Sequence, residues 1–155
     1  YEVVPRVVDG TKYMLHMWDL AGNVHVRSMW RHFYSSTPPD VVVFVVDAAP
    51  DVPARWTEAR DAFQEILHEP LLQNAIKLVL VNVRAVAGPV KSSPHAAIVK
   101  AHLGLGPEND MPGSTRSYVK ILEVNPLNKN AGIGEALTWM CRRIAEVRRG
   151  AALSS

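Results

Sequence analysis

Apolar positions along this chain alternate, run together, or recur every three to four residues, and each spacing predicts an element. Tyr1-Glu-Val-Val and the roughly alternating stretch Tyr13 to Trp18 flank Asp9-Gly10, a two-residue hairpin signal, so two antiparallel strands are expected to open the chain. The segment Val41-Val-Val-Phe-Val-Val46 is continuously apolar and largely β-branched, and it ends in Asp47. That is the pattern of a strand covered on both faces, which predicts a central strand. Behind Asp51-Val52-Pro53, good helix-start residues, Trp56, Ala59, Phe63, Ile66 and Leu67 fall at helical spacing. Leu71-Leu72 after Pro70 reads as a helix end. Ile76 to Asn82 is a second buried-type strand. A Pro- and Ser-rich loop follows, then a short helix from about His95 to His102, a surface loop from Leu103 to Ser117, and a strand from Tyr118 to Val124. Ile133, Leu137, Met140, Ile144 and Val147 line one face of a last helix, whose arginines sit near its C-terminus where the helix dipole favours cations. With a helical stretch around Trp30, strands alternate with helices after the opening pair. The expected class is α/β, a mostly parallel sheet with helices on both faces.

Composition bounds this picture. The 155 residues amount to one domain, 1–155, and 48% hydrophobic against 21% charged residues supply a core and exclude a disordered chain. Seventeen basic residues nearly cancel fifteen acidic ones, and only Arg142, Arg143, Arg148 and Arg149 cluster, so no nucleic acid is expected as a partner. The single cysteine, Cys141, favours a reducing compartment and a packing role. The six histidines show no zinc spacing. No apolar run approaches the ~20 residues of a membrane span, so a cytoplasmic location is expected. Tyr1 already reads as strand, so the domain is expected to be N-terminally incomplete.

In open sheets of this kind ligands bind beyond the carboxyl ends of the strands. Those ends are Asp19-Leu-Ala-Gly22, Asp47-Ala-Ala, Asn82-Val-Arg-Ala85 and Asn125-Pro-Leu127. An Asp at a strand end with a Gly three residues on fits phosphate chemistry: the carboxylate holds Mg²⁺ through water, and the glycine lets a backbone N–H approach a terminal phosphate. The same pair also fits a helix-capping Asp followed by a turn Gly.

The string Met17-Trp-Asp-Leu-Ala-Gly-Asn-Val-His-Val-Arg-Ser-Met-Trp-Arg-His-Phe-Tyr34 closely resembles the second switch of the ADP-ribosylation factor (Arf) and Arf-like small GTPases, where W-D-x-G-G-Q precedes an L-W-R-x-Y-type helix. Phe44-Val-Val-Asp47, Glu58-Ala-Arg60, Leu78-Val-Leu-Val-Asn82, Ala96-Ala97 with Leu103-Gly104-Leu105, and Gly132 with Glu135, Ala136, Leu137 and Trp139 extend the resemblance from Tyr13 to Ile144. It implies a P-loop NTPase-type, Ras-like fold whose first strand and P-loop are missing from these residues. It further implies GTP or GDP with Mg²⁺ as cofactors if an upstream P-loop exists, and otherwise none. Asp19, Gly22, Asn82, Arg84 and Leu127 match nucleotide-binding positions, with Asp19 reaching Mg²⁺ through water. The family's Phe, Trp and Tyr effector triad matches Val3, Trp18 and Phe33, and Trp30 lies in the switch helix. Effector or regulatory proteins are thus the implied partners. A membrane surface could be reached through the missing N-terminus, which would make the location peripheral at membranes or the cilium.

Departures from the family pattern are equally specific. No G-x-x-x-x-G-K-[ST] occurs; Gly88-Pro-Val-Lys91-Ser-Ser lacks the second glycine and does not follow the first strand. In the base-reading N-K-x-D stretch the Lys is Val83 and the Asp is Ala85, leaving Asn82, with Arg84 either stacking on a base or solvated. Losing the two charge-assisted hydrogen bonds of that Asp costs about 10²-fold or more in guanine affinity. The loop that offers a backbone N–H to the guanine oxygen corresponds to Pro126-Leu127-Asn128. The water-orienting Gln is Asn23, one methylene shorter, so hydrolysis is expected to be weak or absent. Two readings follow: an Arf-like switch in membrane or ciliary trafficking with atypical nucleotide handling, or a pseudo-GTPase scaffold or complex subunit that binds proteins without turnover.

Overall fold

The computed structural model describes residues 1–48, 53–83, 95–110, 118–128 and 131–153. Strands β1 (Glu2–Val8) and β2 (Thr11–Met17) form the expected antiparallel hairpin, with Val4 opposite Leu15 and Val8 opposite Thr11. Its turn residues Asp9 and Gly10 both have positive φ, 49° and 77°, the paired left-handed geometry that matches strand twist in a two-residue turn. Two short helices follow, α1 (Val24–Arg27) and α2 (Trp30–Ser35), where the sequence pattern suggested one. Strand β3 (Val41–Asp47), helix α3 (Pro53–His68), a 3₁₀ turn at Pro70–Leu72, strand β4 (Ile76–Asn82), helix α4 (His95–His102), a 3₁₀ turn at Pro107–Asp110, strand β5 (Val119–Val124) and helix α5 (Ile133–Ala152) complete the chain. Of the predicted loop from Leu103 to Ser117, residues 111–117 lie outside the described residues, as does the stretch Gly88 to Ser93.

Strands β3, β4 and β5 pair in that order, both pairs parallel, with Val41 opposite Ile76 and Lys77 opposite Val119. The sheet is therefore parallel and α/β as expected, but two features differ from the reading of the pattern. The hairpin forms a separate two-stranded sheet and shares no ladder with β3, β4 or β5. Among the described residues the middle strand is β4, while β3 has a pairing strand on one side only. Continuous apolar sequence says only that a strand is suited to cover on both faces. Among the described residues β3 has that cover on one side: Val42, Phe44 and Val46 pack into the core, whereas Val43 is 44% and Val45 63% exposed.

Two apolar clusters hold the molecule together. The larger joins Val79 and Val81 of β4, and Val83 just past it, to Phe63 and Ile66 of α3 and Val99 of α4; α2 leans on it through Trp30 and Tyr34. The smaller joins Val8 and Leu15 of the hairpin to Ile76 of β4 and Met140, Cys141 and Ile144 of α5, so α5 is the bridge between the two sheets. Cys141 is fully buried there, and burial pushes its thiol pKa up, which suits a packing residue. Polar ties reinforce the bridge: Arg142 donates from Nε and Nη2 to both carboxylate oxygens of Asp9 at 2.8 Å, and Arg148 pairs with Asp40 at 3.1 Å. The Arg142 hydrogen bond holds the Asp9 carboxyl below its usual pKa. Arg143 reaches Glu146 at 3.0 Å and lies 5.5 Å from the centroid of the Tyr118 ring. Three of the four clustered arginines thus face carboxylates of the same chain. No described helix is long and apolar enough to cross a membrane.

Candidate nucleotide and effector site

Past Met17 the chain leaves β2 and turns through Asp19-Leu20-Ala21-Gly22 into α1. Asn23, with extended backbone (φ −71°, ψ 152°), caps that helix: its Oδ1 accepts from the N–H groups of His25 and Val26, both at 3.1 Å. Asn is among the favoured N-cap residues because its short carboxamide reaches these orphan donors. The amide expected to stand in for the water-orienting Gln is thereby engaged with the backbone. Two side chains from the following helices hold the turn. Trp30 Nε1 donates to the Ala21 carbonyl at 3.0 Å, and Arg27 Nε donates to the Gly22 carbonyl at 3.0 Å while its Nη1 reaches the Glu58 carbonyl of α3 at 3.4 Å. Arg27 lay inside the switch-like string, yet nothing in its spacing announced this double contact. Asp19 is exposed, with no hydrogen bond or ion pair among the described residues. Space is open beside Gly22, where an added Cβ would meet nothing within 4 Å.

The other end of the site is organised differently. At the end of β4 the Asn82 Oδ1 is buried without a hydrogen-bond partner, while its backbone oxygen accepts from Ala48 N–H at 3.0 Å. Val83, in place of the stacking Lys, is only 7% exposed and its N–H goes to the Val124 carbonyl at 2.9 Å. Arg84 and Ala85 lie outside the described residues. Beyond β5 the loop closes on itself around Asn125, which is 5% exposed. Asn125 Oδ1 accepts the Leu127 N–H at 3.1 Å, its carbonyl accepts the Asn128 N–H at 3.2 Å, and its own N–H goes to the Ala131 carbonyl at 2.9 Å. Pro126 has no N–H. The backbone donors of 126–128 that were expected to meet a guanine oxygen are thus engaged internally, and the Leu127 side chain, 82% exposed, points to solvent. Glu123 was not anticipated either: its Oε1 accepts the Ala96 N–H at the start of α4 at 3.0 Å, leaving Oε2 buried and unpartnered. A lone Asn after a strand and a lone Glu within one gave no pattern from which these ties could be read.

Trp18 and Phe33 converge as expected. Their rings lie 5.5 Å apart, and Tyr1 adds a third ring 4.8 Å from Trp18. The Tyr1 hydroxyl also meets His16 Nδ1. The hairpin register, Val3 opposite His16, puts Tyr1, Val3, His16 and Trp18 on one face of the ribbon. That face is bare: Trp18 is 59%, Val3 42% and Phe33 39% exposed. Trp30 does not belong to it. Its ring is half-buried against the larger cluster, and its indole N–H points at the Asp19–Gly22 turn.

The model of the ADP-ribosylation factor family matches residues 5–144, nearly the whole chain. This chain belongs to the Arf family. It is also 27% identical over 150 residues to the ADP-ribosylation factor-like protein alp41 of Schizosaccharomyces pombe, a match covering 97% of this chain and 72% of the relative. Arf-family GTPases bind GTP or GDP with Mg²⁺, and the two halves of the site fit that ligand unequally. The phosphate half fits: an exposed carboxylate at Asp19 with no partner among the described residues, and open space beside Gly22. The base half fits poorly: Asn82 Oδ1 keeps a buried acceptor without a donor, but no described N–H of residues 126–128 is left to donate.

Proposed function

We propose that this Arf-family protein is a guanine-nucleotide-dependent switch in membrane or ciliary trafficking whose nucleotide handling is atypical. It registers the terminal phosphate at Gly22, selects weakly among bases and hydrolyses slowly if at all. The observation that carries this reading is the contrast at the site: Gly22 and Asp19 are open, whereas the amides of the 126–128 loop are closed on Asn125. When bound, Mg²⁺ supplies charge neutralisation between the phosphates. Asp19 would hold its water shell and Asn82 would accept from a neighbouring donor. Asn23, committed to the cap, is badly placed to orient water, and catalysis by positioning tolerates little displacement. The output is the Tyr1, Trp18 and Phe33 face, a contiguous exposed aromatic surface of the kind that anchors protein partners. Peripheral membrane attachment accompanies this role in the family.

The test is calorimetry on the full-length protein with Mg²⁺ and GTP, GDP or ATP. The proposal expects GTP to bind with a preference over ATP below about tenfold, given about 1.5–3 kcal/mol for each missing charge-assisted bond. A preference of several thousandfold would show an intact base reader. The scaffold reading rests on the same closed loop and on the Asn23 cap. It is favoured if no nucleotide binds while Trp18→Ala still weakens partner capture by about 30-fold, the loss of about 2 kcal/mol typical of an interface anchor.

A further inference from the structure

Trp30 and Arg27 act on consecutive peptide planes, those that carry the Gly22 and Asn23 N–H groups. In a trans peptide the C=O and N–H of one plane point in opposite directions, so fixing the oxygen fixes the direction of the hydrogen. The Ala21 carbonyl, held by Trp30 Nε1 at 3.0 Å, shares its plane with the Gly22 N–H. The Gly22 carbonyl, held by Arg27 Nε at 3.0 Å, shares its plane with the Asn23 N–H. Neither N–H donates to any group among the described residues. Both holding side chains are themselves fixed. Trp30 packs on the core cluster, and Arg27 reaches across to the Glu58 carbonyl.

Resting on the switch reading above, we infer that Trp30 is a positioning residue that aims the Gly22 N–H at the terminal phosphate, with Arg27 setting the next plane and tying it to α3. The aromatic of the switch helix is then recruited for its single N–H rather than for its ring surface. Losing a preorganised donor direction affects only the ligand that carries the extra phosphate, so GTP is penalised and GDP is not.

Trp30→Phe keeps an aromatic ring against the core and deletes the donor. In the full-length protein it is expected to lower the affinity for GTP about tenfold while leaving GDP affinity and the thermal midpoint nearly unchanged. Equal loss for GTP and GDP, or an unchanged ratio, overturns the inference. A wild type that binds neither nucleotide overturns the switch reading instead. The aiming itself is read separately, without ligand, from the amide resonances: Trp30→Phe is expected to shift and broaden the Gly22 signal. Arg27→Lys, able to hold one carbonyl but not two, is expected to move Asn23 more than Gly22. A Gly22 resonance that stays put in Trp30→Phe removes the positioning role whether or not nucleotide binds.

Discussion

The Asp19–Gly22 turn and the Asn125–Ala131 loop stand at carboxyl ends of strands in the same molecule, yet they are built in opposite ways. In the turn, side chains hold the carbonyls and leave the described N–H groups of Gly22 and Asn23 without partners. In the loop, a buried Asn takes the N–H groups of Leu127 and Asn128, and Asn125 and Ala131 donate to carbonyls of the same loop. A segment that keeps donors unpaired is organised for something outside itself; one that satisfies its own donors is organised for stability. The comparison predicts that mutations in the loop act on folding and that mutations in the turn act on ligand discrimination.

Gly132→Ala is expected to have the largest effect. Gly132 sits at φ 83°, and a Cβ there would lie 2.3 Å from the Glu123 carbonyl oxygen, so loop and strand must separate. A loss of about 2–4 kcal/mol, measured by urea denaturation, follows from left-handed strain plus overpacking. Asn125→Ala comes next, at about 1–2 kcal/mol, because it strands the Leu127 N–H. If it also raised the preference for GTP over ATP, the freed amide would be available to the base after all, and the contrast between the two ends would narrow.

A smaller effect tests burial at the far end of the strand that carries Asn82. Lys77 is fully buried, donates to the Gln73 carbonyl at 3.1 Å, and burial pulls its pKa down to about 8. The unfolded chain keeps that proton up to the ordinary 10.5, so between about pH 8 and 10.5 the unfolded state binds more protons and stability rises with pH. The slope is at most about 1.4 kcal/mol per pH unit. Comparing urea midpoints of wild type and Lys77→Met at pH 7.5 and 9.5 isolates it, and parallel profiles would exclude it. The smallest stability change belongs to Gly22→Ala. Nothing lies within 4 Å of the added methyl, so unfolding is expected to shift by less than about 0.5 kcal/mol, while the preference for GTP over GDP is lost. A folding defect there as large as that of Gly132→Ala would erase the distinction between the two segments.

Much of this was legible in the sequence, and the limits have physical causes. Periodicity located the five strands and the helices around Phe63, Val99 and Met140 because each element must bury one face or stripe of its own. Asp9-Gly10 announced its turn because few other residues tolerate two left-handed positions in succession. Adjacency was not legible: Val41 to Val46 reads as a central strand by composition, and only the pairing shows that among the described residues β3 has a partner strand on one side alone. The Asn23 cap was within reach, as an Asn before a helical run is a standard start signal. The indole N–H of Trp30 was not, since an aromatic at helical spacing reports bulk and says nothing about where one hydrogen points.

In residues 1–155 taken alone, one side of β3 has no pairing strand among the described residues, which governs how this polypeptide behaves in a tube. The ladder bonds of β3 run to β4 alone, and Val43 and Val45 stand bare on one face. Such an edge is β-branched and free of charge from Val41 to Val46, features that let one chain template the pairing of another. Self-association of residues 1–155 taken alone would grow with concentration through this edge, and any strand pairing with β3 would suppress it, so turbidity in a concentrated sample reports on the cover of β3 rather than on the integrity of the switch.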